Sequence, residues 1–263
     1  MPIVDVDGAR VEYDRIGGGP DLLLLHSLLT ELTVFDGVLP QLAARFRVTR
    51  INLPGFGATA PLTLDTVADW ADQVARTMNA LELSAPTDIF GNGFGAFVAL
   101  ELAVRHGARF RRLVVADTAP AFPESAKSPF RAMAEKVRAS GMAAVLDTAI
   151  GRMLQPAFQA AHPDVVAERK RRLASTDPES FARACLALAT LDLRPNLGRI
   201  RKPTLVLCGA LDQTTPPALG EAVADAIPGA VYRAIPDSGH CPMLEQPAAL
   251  VSFIEQFAGT VAD

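Results

Sequence analysis

The sequence is poor in cysteine and has no long apolar run. Its three cysteines, Cys185, Cys208 and Cys241, form no CxxC motif, and an odd number argues against the disulfide framework of a secreted protein. The leucine run at residues 22–25 is far too short to span a bilayer. The first residues lack the basic and then apolar layout of a signal peptide. We therefore expect a cytoplasmic protein without a membrane partner.

The sequence also lacks an excess of positive charge. Its formal net charge is −4 at pH 7, so no overall basic field would attract nucleic acid. Two local basic clusters, at residues 109–112 and 168–172, are interpreted as solvated surfaces. Because the chain has no metal-ligand cluster, phosphate loop or dinucleotide fingerprint, we expect no metal and no cofactor. The expected partner is a small-molecule substrate, and a homodimer is left open.

Short apolar runs alternate with helical stretches along most of the 263 residues. This alternation predicts an α/β fold with a mostly parallel eight-stranded sheet and helices on both faces. No β-branched apolar run occurs between about residues 123 and 194, so we predict an inserted helical cap there. Residues 1–122 and 195–263 would form the core. The predicted strands are at residues 3–6, 10–14, 22–25, 47–51, 87–90, 113–116, 203–209 and 230–235.

The central motif is Gly91-Asn92-Gly93-Phe94-Gly95, which lies between a buried strand and an apolar helical run. Strand, Gly-x-x-x-Gly and helix is the setting of a nucleophile elbow, a sharp turn that holds a serine above a sheet. The middle residue here is Gly93, and glycine adopts strained dihedral angles more easily than serine does. The sequence therefore predicts the geometry of the elbow without its nucleophile.

Two later loops supply an acid and a base in the chain order of a catalytic triad. Asp212 lies just beyond a predicted strand, and His240 lies beyond the final one. We expect Asp212 to hold the His240 ring in one tautomer and to stabilise its protonated form. Asp117 also follows a buried strand and is the rival candidate for the acid.

Besides the elbow, several stretches of the chain carry a resemblance to known proteins. They are Leu25-His26-Ser27-Leu28, Leu53-Pro54-Gly55-Phe56-Gly57, Asp192-Leu193-Arg194-Pro195, residues 205–216, residues 226–230, Ser238-Gly239-His240 and Glu245-Gln246-Pro247. Over residues 3–257 the chain resembles the α/β-hydrolase superfamily, and it is most similar to the 3-oxoadipate enol-lactonase and small carboxylesterase group. The resemblance implies an α/β-hydrolase fold, His240 as base, Asp212 as acid, and the N–H groups of Leu28 and Phe94 as the oxyanion hole. It implies no nucleophile.

Three further residues are expected near the substrate: His26, Ser27 and Asn92. His26 is interpreted mainly as a brace for its own loop. Cys241 adjoins His240 in sequence but is expected to serve in packing. No role is assigned to the other two histidines, His106 and His162.

A glycine at the centre of the elbow leaves several functions and mechanisms open. His240 could act directly as a general base, with a water or a substrate atom in the space beside Gly93. The same proton transfer could serve lyase or cofactor-free oxygenase chemistry. The chain could instead be a serine hydrolase disabled by glycine at position 93, or a non-catalytic binder of small ligands. Ser27 is a minor candidate for a substitute nucleophile. For the enzyme readings we expect a small ester, lactone or related carbonyl substrate.

Overall fold

The computed structural model describes residues 1–83 and 86–260. Its eight strands form one sheet in the order β1-β2-β4-β3-β5-β6-β7-β8. β1 pairs antiparallel with β2, and β2 pairs antiparallel with β4, whereas every other pairing is parallel. The strands are β1 Ile3–Val6, β2 Ala9–Ile16, β3 Asp21–Leu25, β4 Arg47–Ile51, β5 Thr87–Asn92, β6 Phe110–Ala116, β7 Thr204–Gly209 and β8 Val231–Ile235.

Twelve α-helices occur in the described part of the chain. The core helices are α1 Leu39–Leu42, α2 Val67–Ala80, α3 Phe94–His106, α9 Arg194–Leu197, α10 Pro217–Ala226, α11 Pro242–Glu245 and α12 Pro247–Thr260. The first five of the six helices between β6 and β7 are here called the cap helices: α4 Glu124–Ser140, α5 Leu146–Met153, α6 Pro156–Ala161, α7 Pro163–Ala174 and α8 Pro178–Thr190.

The central strands β3, β5 and β7 are buried at every residue. Continuous burial of this kind is expected when helices cover both faces of a parallel sheet. The predicted α/β-hydrolase architecture, a mostly parallel eight-stranded sheet with helices, is therefore confirmed. The parallel strands from β3 onward end at one edge of the sheet, which is where open α/β folds place their ligands.

The chain leaves the sheet after β6 and returns to it at nearly the same place. Ala121 and Asp192 form an isolated antiparallel bridge, and Leu193 N–H donates to the Pro120 carbonyl at 2.8 Å. Only helices and their connections lie between these points. The predicted boundaries at residues 122/123 and 194/195 stay predictions. Residues 84–85 and 261–263, which were assigned to the core, lie outside the described residues.

The two basic clusters are not wholly solvated, which corrects the interpretation from sequence. Arg112 is buried and pairs with Asp88 at 2.8 Å. Arg169 on α7 is buried and pairs with Glu31 at 3.2 Å. Buried arginines are retained where a carboxylate satisfies them, so Arg169 ties a cap helix to the core loop that follows β3.

Among the described residues, no helix combines the length and the apolar character needed to cross a membrane.

Candidate active site

The elbow begins where β5 ends at Asn92 and finishes where α3 begins at Phe94. Gly93 between them has φ 54° and ψ −117°, a conformation that L-residues adopt only under strain. Its N–H donates to the Ala116 carbonyl at 3.0 Å, and its carbonyl accepts from Ala96 N–H at 2.9 Å. The turn is thus fixed by backbone hydrogen bonds that need no side chain at position 93.

The two flanking glycines are required by close backbone packing. A Cβ on Gly91 would lie closer than 3.0 Å to the Gly95 carbonyl oxygen. A Cβ on Gly95 would lie closer than 3.0 Å to the carbonyl oxygens of Leu25 and His26. Since these obstacles are backbone atoms that cannot rotate away, the Gly-x-x-x-Gly spacing follows from the approach of α3 to β3 and β5.

The space beside the Gly93 Cα is bounded by two side chains. A Cβ at this position would lie 3.0 Å from His240 Nε2 and closer still to Ser27 Oγ. Neither atom hydrogen-bonds to another residue in the described part of the chain, although both side chains are at least 94% buried. Both polar atoms are therefore available to a ligand in this space.

The predicted acid and base are brought together. His240 Nδ1 lies 2.8 Å from Asp212 Oδ2, and both side chains are buried. The carboxylate fixes the ring so that Nδ1 carries a proton and Nε2 faces Gly93. This is the orientation that a histidine base needs.

Sequence reasoning missed two threonines that hold the acid. Asp212 Oδ1 accepts the N–H groups of Thr214 at 2.7 Å and Thr215 at 3.2 Å. The Thr215 hydroxyl donates to Asp212 Oδ2 at 2.7 Å. Asp212 precedes Thr214 and Thr215 by two and three residues, a spacing typical of an aspartate-stabilised turn. This pattern could have predicted the hydrogen bonds within the loop, but not their connection to His240.

The electrostatics favour a charged histidine. Burial alone would lower the pKa of His240, but the charge of Asp212 and the hydrogen bond to it raise that pKa to about 9, helped by Asp117 and Glu245. Burial would likewise raise the pKa of Asp212, yet His240 and the threonine hydrogen bonds hold it below the usual value. The pair is therefore an imidazolium and a carboxylate at neutral pH.

Asp117, the rival acid, faces the same site but does not bond to the histidine. Its Oδ1 accepts Gly209 N–H at 2.9 Å, and its Oδ2 accepts the Asn92 side-chain amide at 2.7 Å. Burial first, and then the charge of Asp212, raise the pKa of Asp117 to about 7. Asp117 thus acts on His240 through its charge rather than through a hydrogen bond.

Asp117, Asp212 and His240 place one ligand atom each within 4.8 Å of one another. All four carboxylate oxygens and His240 Nδ1 already have protein hydrogen-bond partners. A metal ion would have to displace those bonds, so the donor set fits an acid–base cluster better than a metal site.

The predicted oxyanion hole has suitable donors. Leu28 and Phe94 both line the cavity beside Gly93. Phe94 is the first residue of α3, where N–H groups lack helical acceptors. In the described part of the chain neither N–H is engaged in a hydrogen bond.

Two of the three residues expected near the substrate, His26 and Asn92, do not line the small cavity beside Gly93. His26 Nδ1 donates to the Ser27 carbonyl at 2.8 Å, and its Nε2 accepts Leu53 N–H at 3.0 Å. Burial lowers the pKa of His26 to about 4, so it is a neutral brace. The Asn92 amide is turned toward Asp117, and its Oδ1 is buried without a partner among the described residues.

The remaining candidates lie away from the reacting space. Cys241 is buried, with Sγ 3.1 Å from Met243 Sδ. His106 contacts Asp72 at 2.7 Å, and the His162 ring packs against Phe158 on α6.

Glu245, another residue that sequence reasoning missed, connects the histidine loop to the cap. Its Oε2 accepts Gly239 N–H at 2.6 Å, next to His240, and its Oε1 accepts Gln155 N–H at 2.7 Å, just before α6. Burial raises the pKa of Glu245. The Glu-Gln-Pro stretch was noted as part of the resemblance, but its contact with the cap depends on the fold.

Two neighbouring cavities reach the site. The smaller, of about 30 Å³, is lined by Gly93, Ser27 and His240 together with apolar side chains of the core and of α4 and α8. The larger, of about 410 Å³, lies against α4 and α5. Four residues line both cavities: Phe122, Phe130, Arg152 and Thr214.

Known proteins resemble this chain in sequence and fold. A family model described as the alpha/beta hydrolase fold matches residues 20–247. A 3-oxoadipate enol-lactonase of Acinetobacter baylyi is 28% identical over 237 residues, which is 90% of this chain and 87% of the relative. A pimeloyl-acyl-carrier-protein methyl ester esterase of Aeromonas hydrophila is 30% identical over 262 residues, which is 95% of this chain and 99% of the relative.

Among solved structures, an enol-lactonase from Burkholderia xenovorans superimposes with a TM-score of 0.92 at 28% identity, covering 98% of this chain and 100% of the other. The predicted resemblance to the enol-lactonase and carboxylesterase group is confirmed, as is the prediction of a hydrolase of this superfamily. Because the family model spans far more than half of the sequence, this chain belongs to the alpha/beta hydrolase fold family.

Proposed function

We propose that this protein hydrolyses a small ester or lactone with His240 as a general base that activates water directly. The observation that carries the proposal is the placement of His240 Nε2 and Ser27 Oγ beside the Gly93 Cα. The adjoining cavity of about 30 Å³ is large enough for a water molecule. The similarity to an enol-lactonase and to a methyl ester esterase supports an ester or lactone bond as the bond cleaved.

The mechanism needs no acyl-enzyme. The substrate carbonyl oxygen binds the N–H groups of Leu28 and Phe94, which stabilise the negative charge of the tetrahedral intermediate. In the molecules in which His240 is neutral, a water beside Gly93 donates one hydrogen to His240 Nε2 and the other to Ser27 Oγ. As the water oxygen bonds to the carbonyl carbon, His240 takes the proton and Asp212 stabilises the imidazolium. The carbon–oxygen bond to the leaving group then breaks, and His240 returns the proton to the departing oxygen.

In our proposal the cap helices cover the site where the substrate reacts. Phe130 and Met133 of α4, Arg152 of α5 and Leu188 of α8 line the small cavity opposite Gly93. The apolar side chains among them, Phe130, Met133 and Leu188, exclude bulk water and strengthen the electrostatic contacts inside the site.

A second mechanism is direct attack by Ser27. Its Oγ is nearer than His240 Nε2 to the point where a nucleophile Cβ would stand. It also precedes Leu28, one of the proposed oxyanion donors. Attack by Ser27 would leave a covalent acyl group on the protein, whereas attack by water would not.

The test is hydrolysis of an activated aryl ester and of an enol-lactone by the wild type, His240→Ala and Gly93→Ser. We expect the wild type to turn over, and His240→Ala to lose about 10²- to 10⁴-fold, the range typical of a general base. His106→Ala, which removes a histidine far from the cavity, is the matched control and should keep full activity.

Pre-steady-state kinetics and intact-protein mass spectrometry separate the alternatives. Wild-type activity without a burst and without an acyl adduct supports attack by water, while an adduct on Ser27 supports the second mechanism. Activity confined to Gly93→Ser would instead identify a serine hydrolase that has lost its nucleophile, and the proposal would fail.

A further inference from the structure

The positive charges of the cap helices are almost all neutralised within the protein. Eight of the ten arginine and lysine side chains of these helices form an ion pair with a carboxylate. Of these ten side chains, only Lys136 and Arg152 have no carboxylate partner among the described residues. The paired residues are Lys127, Arg131, Arg138, Arg169, Lys170, Arg171, Arg172 and Arg183.

The two unpaired cations differ in position. Lys136 is exposed on α4, where water solvates its ammonium group. Arg152 is half-buried in the last turn of α5 and lines both the small cavity beside Gly93 and the larger cavity next to it. Its guanidinium makes no hydrogen bond to any described residue, so this donor group is free toward the cavities.

The backbone of Arg152 is held in place by the loop of the catalytic pair. The Thr214 hydroxyl donates to the Arg152 carbonyl at 2.9 Å, and Thr214 N–H donates to Asp212 at 2.7 Å. Thr214 therefore holds both the Asp212 carboxylate and the backbone of Arg152. The position of the Arg152 backbone relative to His240 is fixed in this way.

The acidic groups around His240 make the positive charge of Arg152 important for binding an anion. His240 is approached by three acidic groups, Asp117, Asp212 and Glu245, which would disfavour an anionic ligand. Except for His240, Arg152 is the only ionisable side chain among the described residues that line either cavity. A guanidinium is a planar fork of donors that matches the two oxygens of a carboxylate.

We propose that Arg152 binds a carboxylate group of the substrate, so that the ester or lactone hydrolysed here is one that carries a carboxylate. This inference rests on the proposed function for the bond that is cleaved, but it concerns binding alone. In it the scissile carbonyl lies beside Gly93 in the small cavity, while the carboxylate lies against Arg152 where the two cavities meet.

A structural explanation competes with this one. A cation in the last turn of a helix interacts favourably with the helix dipole, and Arg152 occupies such a turn in α5. That role would affect stability without any preference for charged ligands. The two explanations therefore differ in what a substitution changes.

The experiment compares binding of hexanoate and of its neutral isostere hexanamide by calorimetry at low ionic strength. The proteins are the wild type, Arg152→Gln, Arg152→Lys and Lys136→Gln, which removes the other unpaired charge. We expect the wild type and Lys136→Gln to prefer hexanoate by about 10- to 100-fold, the strength of a charge-assisted hydrogen bond. Arg152→Gln should abolish the preference, and Arg152→Lys should keep part of it because it retains the charge but not the fork.

Two results would overturn the proposal. One is equal or undetectable binding of the two ligands by the wild type. The other is a preference for hexanoate that survives in Arg152→Gln; a lower thermal stability of that variant would then support the helix-dipole role. Circular dichroism confirms that each variant is folded. Because binding is measured without turnover, an inactive wild type that still prefers hexanoate through Arg152 refutes the proposed hydrolysis and leaves the carboxylate site standing.

Discussion

The two sides of the reacting space are built in opposite ways. On the histidine side, His240 is fixed by Asp212, and Asp212 by Thr214 and Thr215, so side-chain hydrogen bonds make the geometry. On the elbow side, Gly93 has no side chain, and its conformation comes from backbone hydrogen bonds and close packing. The elbow can therefore keep its shape when the residue at its centre changes.

The elbow side therefore supplies a backbone framework, whereas the histidine side supplies the side chains that react. The flanking glycines, Gly91 and Gly95, are required by contacts with backbone atoms, whereas nothing in the turn requires a particular side chain at position 93. The histidine side has no such freedom, because removal of one partner leaves a buried polar group unsatisfied. We expect substitutions to reveal this contrast as four effects of decreasing size.

The largest effect is expected from Gly95→Ala. Its Cβ would lie closer than 3.0 Å to the carbonyl oxygens of Leu25 and His26, so α3 could not pack against β3. We expect a loss of about 3 kcal/mol or more in the free energy of unfolding, measured by urea denaturation. Gly259→Ala is the control, since a Cβ on Gly259 meets nothing within 4 Å; similar stability of the two variants would refute the close-packing argument.

The second effect tests the space beside the elbow. Gly93→Ala would place a methyl group 3.0 Å from His240 Nε2, in the position proposed for the attacking water. We expect hydrolysis to fall by about 10²-fold, because the general base can no longer reach that water. The positive φ of 54° should also reduce stability by about 1–3 kcal/mol.

Steady-state kinetics and urea denaturation on the same preparation distinguish these two consequences of Gly93→Ala. Wild-type activity in a folded Gly93→Ala protein would show that water does not attack from this position. It would also remove the main argument for His240 as a direct base.

The fold and the main residues of the site were predictable because their signals are local. Buried strands ended in loops that carried Asp212 and His240, and Gly-x-x-x-Gly marked the sharp turn at Gly93. Each signal occupies a few neighbouring residues, and the alternation of strands and helices places the strand ends at one edge of the sheet. Local sequence patterns were therefore sufficient to predict the elbow and the loops that carry Asp212 and His240.

The errors and omissions concern contacts between distant segments. Arg169 was interpreted as solvated because it lies in a charged helical run, yet its partner Glu31 is 138 residues away. Glu245 and Arg152 gain their significance only when the cap helices pack over the sheet. Long-range contacts of this kind have no signature in a local pattern, so a single sequence could not supply them.

The third effect comes from the hydroxyl opposite the histidine. Ser27→Ala removes the second hydrogen-bond partner of the proposed water but leaves His240 intact. We expect a decrease of about fivefold in kcat/KM, since one hydrogen bond contributes roughly 1 kcal/mol. Ser175→Ala, which removes an exposed hydroxyl, is the control. A loss of more than about 10³-fold together with the disappearance of an acyl adduct would identify Ser27 as the nucleophile.

The smallest effect is a shift in pH dependence. General-base catalysis requires neutral His240, whose pKa is raised to about 9, so kcat/KM should rise about tenfold per pH unit and level off near pH 9. The charge of Asp117 is one cause of that high pKa. Asp117→Asn should therefore lower the pKa of His240 and move the inflection to lower pH, which gives a several-fold higher rate at pH 8.

Asp117→Asn can keep most of the local hydrogen bonds. The new amide would keep an oxygen for Gly209 N–H, and Asn92 can rotate to present its unpartnered Oδ1 to the new NH₂ group. This rotation gives up the 3.3 Å hydrogen bond from Asn92 Nδ2 to the His240 carbonyl. Since Asp117 has a pKa of about 7, its charge is present mainly above that pH, and the rate difference should fade below it. The exposed Asp164→Asn variant controls for the change in net charge. An inflection that does not move would mean that Asp117 lies too well screened from His240 to tune it, and the histidine side would then depend on Asp212 alone.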